Sequence, residues 1–193
     1  TEDGEKSGID SSTWVAKSGD LTEDGDRDDT LDFGFVSKSY GIGDVTWIDS
    51  NNNGVQDKGE EPLVGVTVTL FSVDGSGKQT LVKTDINGDP VVPAVTNEQG
   101  WYMFDNLPAG NYQVQFTLTK DQATKYIFTS LKAGKDGAVD SNANPVSGLS
   151  DLIVLDDSNK ALDKEYRNGD FGASEGIDPT WDAGVVLKSV SRA

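Results

Sequence analysis

The chain has 193 residues, of which 33 are Asp or Glu and 16 are Lys or Arg, giving a formal net charge of −17 at pH 7. Nucleic acids and anionic membrane surfaces bind basic proteins, so this acidity argues against both as partners. The sequence contains no cysteine and no histidine, which excludes disulfides, thiolate metal sites and catalytic triads of the Ser-His-Asp or Cys-His type.

Short runs of β-branched and aromatic residues, bounded by Gly, Asn, Asp and Pro, predict strands along most of the chain. In chain order these strands cover residues 45–48, 64–71, 81–83, 101–104, 112–118, 125–129, 152–155 and 181–187. No segment keeps a 3.6-residue apolar period over three turns, and no apolar run approaches the ~20 residues that cross a bilayer. Many short strands at close spacing indicate an all-β antiparallel sandwich.

The segment after the first predicted strand places oxygen donors in a regular order. A twelve-residue loop has side-chain oxygens at positions 1, 3, 5, 9 and 12, a glycine at position 6, and a backbone carbonyl to offer at position 7. This is the ligand order of an EF-hand calcium loop, in which the glutamate at position 12 can bind with both oxygens. The alternative is a polar surface turn. The predicted calcium ligands are Asp49, Asn51, Asn53, Val55, Asp57 and Glu60, around Gly54.

A second acidic segment offers oxygens with partly alternating spacing. We hypothesise that Asp136, Asp140 and Asn142 help to bind calcium near the first loop. The acidic run at residues 23–29 could act likewise, although a solvated turn explains it more simply.

A short pattern occurs twice in the chain. The motif T-x-D-x-G-x-V spans residues 30–36 and recurs at residues 180–186, and a Gly-Ile-Asp triplet precedes each copy, at residues 8–10 and 176–178. Residues 1–38 are therefore predicted to be the end of a preceding repeat, or an N-terminal extension that packs on the main domain, and residues 39–193 a complete repeat. The alternative is two similar strands within one domain. No signal peptide opens the chain, so we expect targeting signals elsewhere in a longer parent protein.

Several motifs together resemble a known family. Residues 43–57 (GDVTWIDSNNNGVQD), 65–70 (GVTVTL), 96–114 (TNEQGWYMFDNLPAGNYQV) and 181–184 (WDAG) are similar, in family order, to the SdrD B-like repeat of serine-aspartate repeat adhesins and other Gram-positive cell-wall proteins. The resemblance covers roughly residues 40–187. It implies an immunoglobulin-like (prealbumin-like) sandwich stabilised by Ca²⁺ and repeated in tandem as a stalk. Segments 85–95 and 156–176 depart from the family pattern, either as solvated loops or with a role specific to this repeat.

The resemblance predicts a spacer repeat of an extracellular, wall-anchored adhesin that is monomeric and contacts neighbouring repeats of the same chain. A host matrix protein or glycan would bind through the parent protein. No pair of carboxylates is marked out for catalysis, so we expect no enzyme activity. The alternative is a carbohydrate- or protein-binding module, for which the candidate aromatic residues are Trp14, Trp101 and Tyr166.

Overall fold

The computed structural model describes residues 38–134, 139–163, 166–168, 172–174 and 176–189. These residues all belong to one compact unit, Ser37–Ala193. Except for residue 38, the predicted repeat end at residues 1–38 lies outside them, and the division of the chain at that point stays a prediction. The elements in chain order are β1 (Tyr40–Ile48), β2 (Thr67–Val73), β3 (Gln79–Leu81), β4 (Ala94–Val95), β5 (Trp101–Leu107), β6 (Gly110–Thr117), α1 (Lys120–Lys125), β7 (Tyr126–Phe128), β8 (Ile153–Leu155), β9 (Tyr166–Asn168), β10 (Gly172–Ser174), β11 (Ile177–Asp178) and β12 (Ala183–Leu187).

Most of these strands form two sheets. Sheet I contains β5, β1, β12 and β7, with β11 paired to the beginning of β1. Sheet II contains β3, β2, β6 and β8, with β4 paired to the beginning of β2. Strands β9 and β10 pair with each other. The predicted all-β sandwich is confirmed.

The hydrophobic core lies between the two sheets. Strand β6 alternates strictly, with Tyr112, Val114 and Phe116 buried and the residues between them half-buried, as expected when one face of a strand is covered. Sheet I contributes Tyr102, whose ring meets that of Phe116 edge-on with centroids 5.5 Å apart and planes at 87°. Such an edge-to-face contact is a favoured aromatic geometry and helps to fix the two sheets against each other.

The first and last strands run parallel to each other, which differs from the predicted antiparallel arrangement. Thr46, Trp47 and Ile48 of β1 pair with Ala183, Gly184 and Val185 of β12. Antiparallel neighbours arise naturally from hairpins, whereas the whole domain separates these two strands, so a hairpin does not set their direction. The start of β1 and the end of β12 consequently lie at opposite ends of sheet I.

Three turns share one hydrogen-bonding pattern. In each, an Asp or Asn side-chain oxygen accepts the N–H groups of the residues two and four positions further on, and a glycine with positive φ follows three positions after it. These side chains mimic a backbone turn, and glycine supplies the left-handed conformation at low cost. The pairs are Asp74 and Gly77, Asp85 and Gly88, and Asn97 and Gly100. The second turn lies in the segment 85–95, which the sequence predicts as an inserted hairpin.

The short helix α1 was not predicted, because six residues are too few to show a helical period. Its start nevertheless carries a sequence signal: Thr119 and Gln122 form a reciprocal capping box. Within the described residues, no helix has the length and hydropathy that crossing a membrane requires.

Candidate metal centre

The predicted calcium loop begins at Asp49, directly after β1. The Asp49 side chain is 3% exposed, and one carboxylate oxygen accepts the Gly54 N–H at 2.8 Å and the Thr129 hydroxyl at 2.5 Å. The other oxygen accepts the Asn53 N–H at 3.1 Å. One buried carboxylate therefore folds the first half of the loop back on itself and ties it to the residue that follows β7.

The two asparagines of the loop converge on a single oxygen. The side-chain amides of Asn51 and Asn53 each donate to Asp57 Oδ2 at 2.7 Å. Their own carbonyl oxygens accept the N–H groups of Asn53 and Val55 respectively. These contacts place positions 3, 5 and 9 of the loop around the same point.

Glu60 closes the loop from its far end. Its Oε1 accepts the Ser50 N–H at 2.8 Å, and its Oε2 accepts the Asp57 N–H at 3.0 Å. The side chain at position 12 thus reaches back to position 2, which brings the two ends of the loop together.

Two structural constraints favour glycine at position 54. Its φ is +76°, a conformation that favours glycine, and a Cβ there would lie 2.5 Å from Ala133 Cβ and 2.9 Å from the Ser130 carbonyl oxygen. The sharp turn at position 6 therefore also allows the loop to pack against residues 130–133.

The predicted ligands of this loop fit calcium, because each of their side chains offers an oxygen atom and three of them are carboxylates. The carboxylates are, however, held apart by the loop's own N–H groups and amides. Among the residues that the structure describes, no three acidic side chains form a ready-made metal cage. Calcium binding at Asp49, Asn51, Asn53, Val55, Asp57 and Glu60 accordingly stays a prediction.

The second predicted segment runs beside this loop. Gln56 N–H donates to the Val139 carbonyl at 2.7 Å, Ser141 N–H donates to the Gly54 carbonyl at 3.2 Å, and Val55 forms a bridge with Asp140. Asp140 and Asn142 are buried, whereas Asp136 lies outside the described residues. Asp140 thus lies next to the loop, whereas Asn142 exchanges hydrogen bonds with Asp182, and calcium binding by this segment stays a prediction.

Asp182 is a buried acid that the sequence reasoning did not assign to this region. Its side chain is fully buried, Oδ1 accepts the Val45 N–H at 3.0 Å, and Asn142 Oδ1 accepts the Asp182 N–H. Burial raises the pKa of the Asp182 carboxyl well above its usual value, and the nearby carboxylates of Asp44, Asp140 and Asp178 add to that effect. The signal that could have found it is the repeated T-x-D-x-G-x-V motif, in which Asp182 is the aspartate.

Two of the three aromatic candidates for ligand binding lie within the described residues. Tyr166 is only 7% exposed and its hydroxyl donates to Asp44 Oδ1, so the structure does not favour it as a binding surface. Trp101 is half-buried in β5, and Trp14 lies outside the described residues. Trp47 is fully buried.

Comparison with known proteins gives a consistent result. The sequence profile of the SdrD B-like domain matches residues 40–169. The chain is 34% identical over 177 residues to serine-aspartate repeat-containing protein D of Staphylococcus aureus (strain Newman), which covers 89% of this chain and 11% of that protein. It is 32% identical over 145 residues to serine-aspartate repeat-containing protein F of Staphylococcus epidermidis, covering 74% of this chain and 7% of that protein.

Relatives also occur outside bacteria. Colossin-B of Dictyostelium discoideum is 39% identical over 153 residues, covering 78% of this chain and 4% of that protein.

Among solved structures, the minor pilin GBS52 of Streptococcus agalactiae aligns with a TM-score of 0.42 at 10% identity, over 82% of this chain and 48% of that one. The chain thus spans only a small part of the relatives that it matches in sequence.

Proposed function

Because the chain belongs to the SdrD B-like domain family, we propose that it is a calcium-stabilised spacer repeat of a wall-anchored bacterial adhesin. As a member of that family it is an extracellular, surface-exposed module, and the family is not a known class of enzyme. Beyond family membership, we propose an immunoglobulin-like arrangement of the sandwich, a structural rather than catalytic role, and calcium as the structural cofactor.

The observation that carries the spacer role is the parallel pairing of β1 with β12. Since the chain enters at one end of sheet I and leaves at the other, each repeat adds length along the direction of its strands. The nine residues of β1 alone span about 30 Å at ~3.3 Å per residue. A domain whose chain entered and left at the same end would add width instead. The partners in this proposal are the neighbouring repeats, and any host ligand would bind elsewhere in the parent protein.

Calcium would act electrostatically in such a repeat. Asp49, Asp57 and Glu60 lie within one twelve-residue loop of a chain with net charge −17, so a divalent cation would relieve repulsion between them. The loop joins β1 to β2, and the segment beside it, with Asp140 and Asn142, offers further oxygens for a second ion. A ligand that binds only the folded state at 100 times its Kd stabilises it by about 2.7 kcal/mol.

The decisive experiment is thermal unfolding of the chain in about 1–5 mM calcium and again in EDTA, because the calcium sites of extracellular modules have Kd values of about 0.1–1 mM. We expect a lower melting temperature in EDTA, restored by calcium and not by magnesium. Asp49→Ala should lower the melting temperature in calcium and abolish most of the EDTA effect.

Glu98→Ala is the matched control, because Glu98 is an exposed acid in a turn outside the loop. It should respond to EDTA as the unaltered chain does. An EDTA effect of equal size in Asp49→Ala would place the calcium site elsewhere, and no EDTA effect in the unaltered chain would reject calcium as the stabilising cofactor.

A further inference from the structure

The outward face of sheet II differs in charge from the rest of this acidic chain. Strands β2, β3, β4, β6 and β8 contain no Asp, Glu, Lys or Arg at all. Sheet I does contain charged residues, namely the half-buried Asp44 in β1 and Asp105 in β5 and the buried Asp178 in β11, although β7 and β12 have none. With 33 acidic residues among 193, a whole sheet without a charge is a local exception that calls for a physical explanation.

The residues on this face are uncharged polar and aliphatic. Alternation places the buried side chains of β2 and β6 against the core, which leaves Thr69, Phe71, Gln113 and Gln115 on the outward side. Exposed aliphatic side chains extend the face across its neighbouring strands; they are Leu81 (43% exposed), Val95 (60%), Leu152 (47%) and Val154 (40%). The exposed Lys83 and Asp151 lie just beyond the ends of β3 and β8, at the margins of this face.

We propose that this uncharged face of sheet II is a self-association surface, on which a second copy of the same domain packs sheet against sheet. Contact between acidic parts of two copies brings like charges together, because the chain carries a net charge of −17. Contact through sheet II avoids that repulsion and covers the exposed aliphatic side chains.

The polar groups on the face suit a symmetric contact. Gln79 Nε2 already donates to Gln113 Oε1 at 2.8 Å across the sheet. Side-chain amides and threonine hydroxyls both donate and accept hydrogen bonds, so one such surface can satisfy an identical copy of itself. Two twisted sheets can pack in this way with their strands at about 30°.

The size of the face makes the association weak. The 23 residues of β2, β3, β4, β6 and β8, at a rise of ~3.3 Å and a strand spacing of ~4.8 Å, cover roughly 360 Å² per copy. That is about half of the ~800 Å² per partner in a typical stable complex. The domain is therefore monomeric in dilute solution, as the sequence predicts, and associates where copies are held close together, as on a shared surface. This inference does not depend on the calcium loop.

Cysteine cross-linking in the full chain tests the proposal, since the chain has no cysteine of its own. Thr69→Cys places a thiol at the centre of the face, and Gln99→Cys places one on an exposed turn as the control. Under mild oxidation, disulfide-linked dimers of Thr69→Cys should form about tenfold faster than those of Gln99→Cys, since association raises the effective thiol concentration. Equal rates would overturn the proposal.

A charged residue placed on the face provides a second test of the proposal. Gln113→Glu, introduced into Thr69→Cys, should slow cross-linking to the rate of the turn control, whereas Gln99→Glu in the same background should leave it unchanged. Thermal unfolding of each variant verifies that it is folded. Insensitivity to Gln113→Glu would reject the face as the contact. If peptidoglycan fragments protected the thiol of Thr69→Cys from alkylation without dimer formation, self-association would be overturned in favour of a glycan ligand.

Discussion

The indole of Trp47 packs directly on the backbone of Gly184, its register partner in the parallel pair of β1 and β12. A Cβ on that glycine would lie 2.7 Å from Trp47 Cζ2 and 2.8 Å from Thr129 Cγ2. Both neighbours are buried, so neither side chain can move into solvent to make room. Gly184 is therefore required by the close approach of a large side chain, and its backbone needs no positive φ.

Gly184→Ala should destabilise the domain by about 1–3 kcal/mol, the usual cost of forcing an extra methyl group into a packed site. Gly75→Ala is the matched control, because a Cβ at Gly75 meets nothing within 4 Å and its φ is not positive. Urea unfolding of both variants measures the difference. Equal stability of the two would show that the strands separate easily at this point.

Alanine substitutions at two of the turn glycines separate the cost of backbone strain from the cost of a steric clash. Gly77 and Gly100 both have positive φ, +83° and +78°, but a Cβ at Gly77 meets open space, whereas one at Gly100 would lie 2.3 Å from the Thr46 carbonyl oxygen. Gly77→Ala should cost about 1–2 kcal/mol from the left-handed conformation alone. Gly100→Ala should cost more than about 3 kcal/mol, since the obstacle is backbone that cannot rotate away.

The same unfolding measurement compares these two turns. If Gly100→Ala were no more destabilising than Gly77→Ala, β1 and the turn at residues 97–101 would have to separate readily. The hydrogen bond from Thr46 N–H to the Gly100 carbonyl, at 2.8 Å, argues against such separation.

Thr129 is expected to stabilise the loop at residues 49–60 through its hydrogen bond to Asp49. Its hydroxyl donates to the buried Asp49 carboxylate, so Thr129→Val keeps the shape of the side chain and leaves one carboxylate oxygen with a weaker set of partners. The free energy of unfolding in EDTA should fall by about 1.5–3 kcal/mol, which is typical of hydrogen bonds to charged groups. Thr124→Val, which removes an exposed hydroxyl bond to the Asp121 carbonyl, should cost much less in the same denaturation experiment.

Asp157 should titrate below the usual range of an aspartate. Hydrogen bonds from Lys38 and Tyr40 lower the pKa of its carboxyl, and the Asp157 carboxylate in turn raises the pKa of Tyr40. Because the folded pKa of Asp157 is depressed, the stability that it contributes is present above the unfolded value near pH 3.9 and is lost as pH falls through the folded value.

A carboxyl NMR titration measures the Asp157 pKa directly. Lys38→Met should raise it towards the ordinary value, as should Tyr40→Phe, while Lys58→Met serves as a control because Lys58 is an exposed lysine of the loop remote in sequence from this contact. If neither Lys38→Met nor Tyr40→Phe changed the Asp157 pKa, the contact would not persist in solution.

The sequence predicted those parts of the fold that local chemistry determines. The strands β2 and β6 follow from alternation within the predicted ranges 64–71 and 112–118, and the turns at residues 74–77 and 97–100 carry a local signal, Asp or Asn with a glycine three positions later. The oxygen donors of the loop at residues 49–60 were likewise found from their spacing, and the structure closes that loop on itself.

Long-range features were harder to predict, because no local pattern determines them. The direction of β12 beside β1 depends on a crossover of the whole domain, and the burial of Asp182 and Tyr166 depends on which elements cover them. Helix α1 has a capping box but no period long enough to detect. The register pairing of Trp47 with Gly184 also requires the assembled sheet, although the glycine itself recurs in both copies of the T-x-D-x-G-x-V motif.

The parallel pairing of β1 and β12 has a mechanical consequence. Tension applied along the chain pulls the beginning of β1 and the end of β12 in opposite directions, parallel to the hydrogen-bonded seam between Thr46–Ile48 and Ala183–Val185. The backbone hydrogen bonds of that seam are then loaded in shear and share the force, whereas a seam pulled open from one end breaks one bond after another. The indole of Trp47, lodged against Gly184, obstructs the sliding that shear would produce. Tension along the strands would thus be carried by the whole seam at once.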